Sequence, residues 1–249
     1  MGDHVSDETT LGDELIGWRS RLPEAALADL ERLGPLVEIP ESTPADVRRD
    51  LQLQRQQMVW DRWVRMIEAR YSRYSMHDGH LGVFDGLAPE QHPADLRRWL
   101  GGTSRTLFLV GPTGRGKTHA AIGVGYEAAL RGVHTTIVSQ LDYLAKLRPG
   151  GSDDPARERY RAETTTLLIF DDLGAETEDG TEFVRREVCA LFDARVNAGL
   201  RTVITTNANP NELVRVFGDR IVSRIRDDSV AIEIAGHDRR RARSADDPW

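Results

Sequence analysis

Gly111-Pro112-Thr113-Gly114-Arg115-Gly116-Lys117-Thr118 follows the pattern G-x-x-x-x-G-K-[ST], and its surroundings fit it. The apolar run Leu107-Phe108-Leu109-Val110 precedes it as a strand, and Ala120-Ala121-Ile122-Gly123-Val124 follows as a helix. Glycines let the backbone wrap close to a triphosphate, so that successive N–H groups and the positive end of the following helix point at anionic oxygens. Gly111, Pro112, Thr113, Gly114, Arg115 and Gly116 form this cradle, Lys117 reaches the β- and γ-phosphates, and the Thr118 hydroxyl ligates Mg²⁺. The lysine is itself informative. Only two of the thirty-three basic residues are lysines, so Lys117 stands out in a chain that uses arginine almost everywhere.

Working outward, apolar runs alternate in type. Strands are expected at Leu107–Val110, Val133–Val138, Leu167–Phe170, Thr202–Thr206 and Val230–Ile234, with helices after Lys117, between the second and third runs, and through Leu191. Such alternation predicts an α/β fold with a mainly parallel sheet covered on both faces. Leu167-Leu168-Ile169-Phe170 runs into Asp171-Asp172, a pair of acids that is costly at a strand end unless used. Asp171 is placed to hold the Mg²⁺ shell and Asp172 to orient or deprotonate an attacking water. The next strand reaches Asn207, whose neutral amide suits hydrogen bonds to a γ-phosphate and a lytic water. Arg220 and Arg224 lie four apart, on one helix face, where a guanidinium fork can serve a neighbouring subunit's γ-phosphate. Gly236–Arg243 forms a basic patch after the last strand.

Upstream, residues 1–34 hold eight acids against three arginines and little apolar sequence, which predicts a segment partly disordered or helical only when bound. Thr43 then reads as a helix N-cap with Pro44 at the first helical position, and the helix runs to about Tyr74. Met58, Trp60, Trp63, Met66, Ile67, Tyr71 and Tyr74 favour one side of it, with arginines on much of the rest. The stripe fits either packing on the neighbouring domain or docking of a partner protein. His77–Gly86 reads as a connector and Pro93–Leu100 as a short helix. This divides the chain into an acidic, then helical, partner-binding region at 1–78 and a nucleotide domain at 79–249. Deleting residues 1–75 is then expected to leave a soluble, ATP-binding core.

The formal charge of −7 argues against a surface coated for non-specific duplex binding, so any nucleic-acid site is local. The lone Cys189 excludes an internal disulfide and a cysteine-rich zinc site. No apolar stretch reaches the roughly 18 residues of a spanning helix, and the expected protein is soluble and cytoplasmic, with no membrane partner.

The ordered set Gly111–Thr118, Leu168-Ile169-Phe170-Asp171-Asp172-Leu173-Gly174-Ala175-Glu176, Thr205-Thr206-Asn207 and Phe217–Ile225 resembles the AAA+ ATPases of the DnaC/DnaI/IstB group, helicase loaders and transposition helpers. The resemblance covers about residues 83–241. It implies a five-stranded P-loop AAA+ sheet between helices; the helical N-terminal extension lies outside the resemblance, and with little sequence after Arg243 no C-terminal lid is expected. ATP and Mg²⁺ are the implied ligands. Asn207 corresponds to sensor 1, Arg224 to the arginine finger with Arg220 as its assistant, and Arg240 to sensor 2, although Asp238 stands where the family's motif has serine. The implied function is ATP-dependent loading of a replicative helicase, with ATP between self-associated subunits and contact with single-stranded DNA. The rivals are an IstB-type transposition helper acting on duplex DNA, a nucleotide-responsive adaptor with negligible hydrolysis and, more distantly, a small-molecule kinase.

Overall fold

Five runs rich in β-branched and apolar residues form strands: β1 Thr106–Val110, β2 Thr135–Ser139, β3 Leu167–Leu173, β4 Arg201–Thr206 and β5 Ser229–Glu233. The structure, a computed structural model, describes residues 44–71, 87–174 and 182–235. Every neighbouring pair of strands is parallel, in the order β2-β3-β4-β1-β5. Alternate side chains enter two cores. Leu107, Leu109, Ile169 and Val203 face one side of the sheet, and Phe108, Leu168, Phe170 and Ile204 the other. This is why strands of a doubly covered sheet read as unbroken apolar runs.

Eight helices complete the two outer layers among the described residues: α1 Ala45–Arg70, α2 Pro93–Gly101, α3 Lys117–Leu130, α4 Gln140–Leu147, α5 Pro155–Thr164, α6 Glu182–Asn197, α7 Pro210–Phe217 and α8 Asp219–Arg226. The first three share a core with one sheet face, and the last five line the other. The polar stretch expected as one helix between β2 and β3 is the pair α4 and α5. None of the described helices is long and apolar enough to cross a membrane.

Helix α3 is buried on every side from Ala120 to Leu130. Small residues make this possible, since the sheet presses on one flank and α1 on the other. The Trp63 ring lies so close that a Cβ at Gly125 would stand 2.1 Å from it. Trp60 and Trp63 meet the Tyr126 ring at centroid distances of 5.6 and 5.8 Å, the second edge-on. The docking reading of the aromatic stripe is therefore corrected. Val59, Trp60, Trp63 and Ile67 are core residues, whereas Met58, expected among them, is 64% exposed. Packing consequently does not divide at residues 78 and 79, because residues 45–70 complete the sheet's own core.

The ends of α1 also differ from expectation. Pro44, with ψ of 142°, is extended and precedes the first helical residue, while Thr43 lies outside the described residues. Tyr71 closes the helix by donating its N–H to the Ile67 carbonyl at 2.7 Å; Tyr74 and the connector 77–86 lie outside the described residues. Elsewhere arginines act as internal fasteners. Arg195, 1% exposed, donates to the Ala162 and Thr165 carbonyls, the Thr202 hydroxyl and the Arg201 carbonyl, tying α5, α6 and β4 together. Burial pulls its pKa down to about 9.

Candidate nucleotide-binding site

At the carboxyl end of β1 the chain turns through Gly111–Gly116 and enters α3 at Lys117. Gly111, Gly114 and Gly116 have φ of +141°, +82° and +93°. At Gly111 a side chain is doubly excluded, since a Cβ would lie 2.5 Å from the Ile234 carbonyl oxygen. The first-turn N–H groups of α3 have no acceptors within the helix and carry its positive end, which is where an anion is stabilised. The loop thus supplies the donor set and the close backbone approach that a polyphosphate requires.

Lys117 is buried, and its ammonium donates to the Pro112 carbonyl at 2.9 Å and to Asn207 Oδ1 at 2.5 Å. That second contact brings the tip of β4 to the glycine-rich turn. Thr118 donates to the two Asp171 oxygens at 3.0 and 3.3 Å, and Thr205 donates to Oδ1 of the same carboxylate at 2.6 Å. Asp171 is pushed up to about 6, chiefly by burial and further by Asp172, against the opposing pull of the two threonines and Lys117. Thr118 and Asp171 offer hard oxygens to a divalent cation. Among the described residues no three His, Cys, Asp or Glu side chains converge as a metal cage. Their arrangement fits Mg²⁺ held by one carboxylate, a hydroxyl and substrate oxygens.

The two acids do not end the strand, as the apolar run implied, because β3 continues through them to Leu173. Pairing of β3 with β4 shifts between Phe170 and Leu173, so Asp171 and Asp172 together oppose Thr205. Asp172 has φ of +56°, costly for a non-glycine residue, and donates its N–H to Thr205 Oγ1 at 2.9 Å. The bulge separates the pair. Asp171 is buried, Asp172 is exposed, and Leu173 returns to the core.

Sequence reasoning missed two supports. Gln91, fully buried in a 3-10 turn at Pro89–Gln91, donates to the Gly116 carbonyl at 2.8 Å and accepts from the Ala88 N–H at 3.1 Å. Gln140 accepts from the Gly174 N–H at 3.0 Å and so braces the chain leaving β3. No spacing or motif marks either glutamine.

Arg224 lies at the opposite end of the sheet. It borders a cleft of about 200 Å³ with Arg105, Thr106, Thr202 and Asp228, residues at or before the starts of β1, β4 and β5. One guanidinium nitrogen donates to Asp193 and the other to Asn197 Oδ1 at 2.6 Å, both acceptors on α6. Arg220 is exposed one turn earlier on α8. In a parallel sheet, Arg224 and the Lys117 site therefore occupy opposite ends of one molecule. Arg240 lies outside the described residues.

Comparison with known proteins agrees with this geometry. The replicative helicase loader DnaC of Escherichia coli K12 is 22% identical over 91% of this chain and 85% of its own length. A putative ATP-binding protein of an insertion sequence from Bacillus thuringiensis is 30% identical over 52% of this chain and 53% of its own. The crystal structure of the DnaC helicase loader superposes with a TM-score of 0.55 at 21% identity, covering 62% of this chain and 97% of that one, and so shares its fold with this chain. The family model for IstB-like ATP binding proteins matches residues 98–245, which contain the glycine-rich turn, both carboxylates, Asn207 and Arg224. The chain belongs to this family of ATP-binding proteins.

Proposed function

We propose that this chain hydrolyses ATP between adjoining copies of itself and uses the cycle to load a replicative helicase onto DNA. The observation that carries the catalytic part is the contact network at the carboxyl ends of β1, β3 and β4, with an ordered arginine at the other end of the sheet. Lys117 and the α3 amides hold the triphosphate. Mg²⁺, when bound, neutralises charge on the phosphate oxygens. Asp172, kept apart from the buried Asp171 by the bulge, orients the attacking water and takes its proton. Asn207 fixes that water and the terminal phosphate without adding negative charge. Arg224 of an adjoining copy stabilises charge that develops during transfer.

The loader part is favoured by the extent of similarity, which with DnaC spans nearly the whole chain and with the insertion-sequence protein about half. A transposition helper is the second reading, supported by the higher identity of that shorter match.

Turnover and nucleotide affinity of three variants test the scheme. Lys117→Ala is expected to abolish tight ATP·Mg²⁺ binding. Asp172→Asn should keep binding but lose roughly 10²-fold or more in turnover. Arg224→Ala should bind ATP normally and lose about 10³-fold in turnover, with partial recovery when mixed with Lys117→Ala subunits. Recovery at no mixing ratio would sink the shared site, and negligible wild-type turnover would leave a nucleotide-responsive adaptor. Capture of the replicative helicase in the presence of ATP, against capture of a transposase, separates loader from transposition helper.

A further inference from the structure

A second cluster of polar groups, which the nucleotide site does not use, surrounds a cavity of about 120 Å³ beside the edge strand β2. Arg70 of α1, Tyr143 and Lys146 of α4, and Glu158 and Arg161 of α5 border it, with Met66 and Ile137 among the apolar walls. The Tyr143 side chain is 2% exposed, yet its hydroxyl has no hydrogen-bond partner, and the same holds for the buried Nε of Arg161. Orphaned buried donors are costly, so two on one cavity call for an acceptor that enters it.

The charges agree. Glu158, the one carboxylate on the wall, is already engaged by Lys146 at 2.5 Å. Arg62, Arg70 and Arg161 have no hydrogen-bonded carboxylate among the described residues. Arg161 is pulled below its ordinary value by burial and then by the repulsion of Arg62, partly offset by Glu158, with Arg70 and Arg157 adding to the repulsion. Several cations sharing one carboxylate are unexpected in a chain with forty acids and thirty-three bases. The space exceeds the about 30 Å³ that one water occupies in the liquid, and suits a tetrahedral oxyanion. Arg62 and Arg70 are eight residues apart on α1, about 12 Å along its axis, longer than a single phosphate.

We propose that the cleft between α1 and α5 binds a backbone phosphate of a nucleic-acid strand, with Tyr143 and Arg161 donating inside the cavity and Arg62, Arg70 and Arg157 following the strand at its mouth. This rests on the loader reading only in supposing that a strand is handled; it adds where that strand is held.

The test is anisotropy of a labelled single-stranded oligonucleotide with the full chain, without nucleotide, across a salt series, alongside thermal melting and ATP affinity. Arg70→Gln and Arg161→Gln should each weaken binding about 3- to 10-fold and lower the slope of log affinity against log salt by about 0.7. Tyr143→Phe should weaken it a few-fold with the slope unchanged. Because Arg70 is exposed, its variant keeps the test valid if Arg161→Gln fails to fold. Wild-type oligonucleotide affinity and slope in the Arg70→Gln and Tyr143→Phe proteins would overturn the proposal. Inorganic phosphate that raises the melting temperature of wild type but not of Arg161→Gln, with oligonucleotide binding unaffected, would assign the cavity to a free anion and overturn the strand. Loss of ATP turnover with these results intact would count against the hydrolysis reading alone.

Discussion

Burial makes Asp171 a liability to the nucleotide-free protein at neutral pH. A carboxyl raised from 3.8 to about 6 binds a proton more tightly folded than unfolded. Its contribution to stability is therefore complete below about pH 4 and is lost as pH rises through 6. Asp171→Asn keeps the shape without the charge. It should be more stable than wild type above pH 6, by on the order of a few kcal/mol, and melt correspondingly higher, with the gap closing as pH falls toward 4. Thermal melts across that range without Mg²⁺ check this, and a gap independent of pH would show that the carboxylate is not the cause. Gln91 makes a different case. Its hydrogen bond to Gly116 holds the glycine turn in shape, so Gln91→Ala should weaken ATP affinity about tenfold and also lower the melting temperature, because the Gly116 carbonyl and Ala88 N–H lose their partner. Titration of a fluorescent nucleotide measures it. Lys117, Thr118, Asp171, Asp172 and Asn207 were legible because their spacing and flanking strands repeat a chemical requirement. Gln91 was not, since its partner lies twenty-five positions away and only packing joins them.

At the level of elements, the contact between α1 and α3 is the most exacting. Gly125→Ala places a methyl group inside the Trp63 ring, and overpacking of that kind costs about 1–3 kcal/mol or more. Trp63→Ala should cost about 3–5 kcal/mol by leaving a cavity. Combining Gly125→Ala with Trp63→Ala should recover part of both losses, and denaturant unfolding of wild type, the two single variants and the double variant gives the coupling. Simple additivity would mean that the two residues do not share the space. The sequence made the helix readable, because aromatic and apolar residues recurred on one side. It left open what covers that side, since a stripe facing a neighbouring helix of the same chain has the same periodicity as one facing a partner. The bulge in β3 was hidden for a related reason: register is a property of two strands, and Asp171-Asp172 acquires it only opposite Thr205.

For the molecule as a whole, the order β2-β3-β4-β1-β5 gathers the glycine turn, the acids and Asn207 at one end, and strand alternation with helices had already implied that gathering. What it did not show is how much of the core comes from upstream. Removing residues 1–43 takes away none of the residues that form the two cores and should leave ATP affinity nearly unchanged. Removing residues 1–75 takes away Val59, Trp60, Trp63 and Ile67 and bares α3. At about 1.5–3 kcal/mol for each buried side chain, the loss is comparable with the entire stability of a typical domain. The shorter protein should aggregate, in contrast to the independent core that the sequence suggested, and light scattering of the two truncations decides between them. Arg224 and Lys117 at opposite ends also fix a rule of counting. If each complete site takes one end from each of two successive copies, association is head to tail, and an open row has one fewer site than it has members. A lone copy has none, a pair has one, and only a closed ring uses every nucleotide it holds; activity per chain then measures the length of the row.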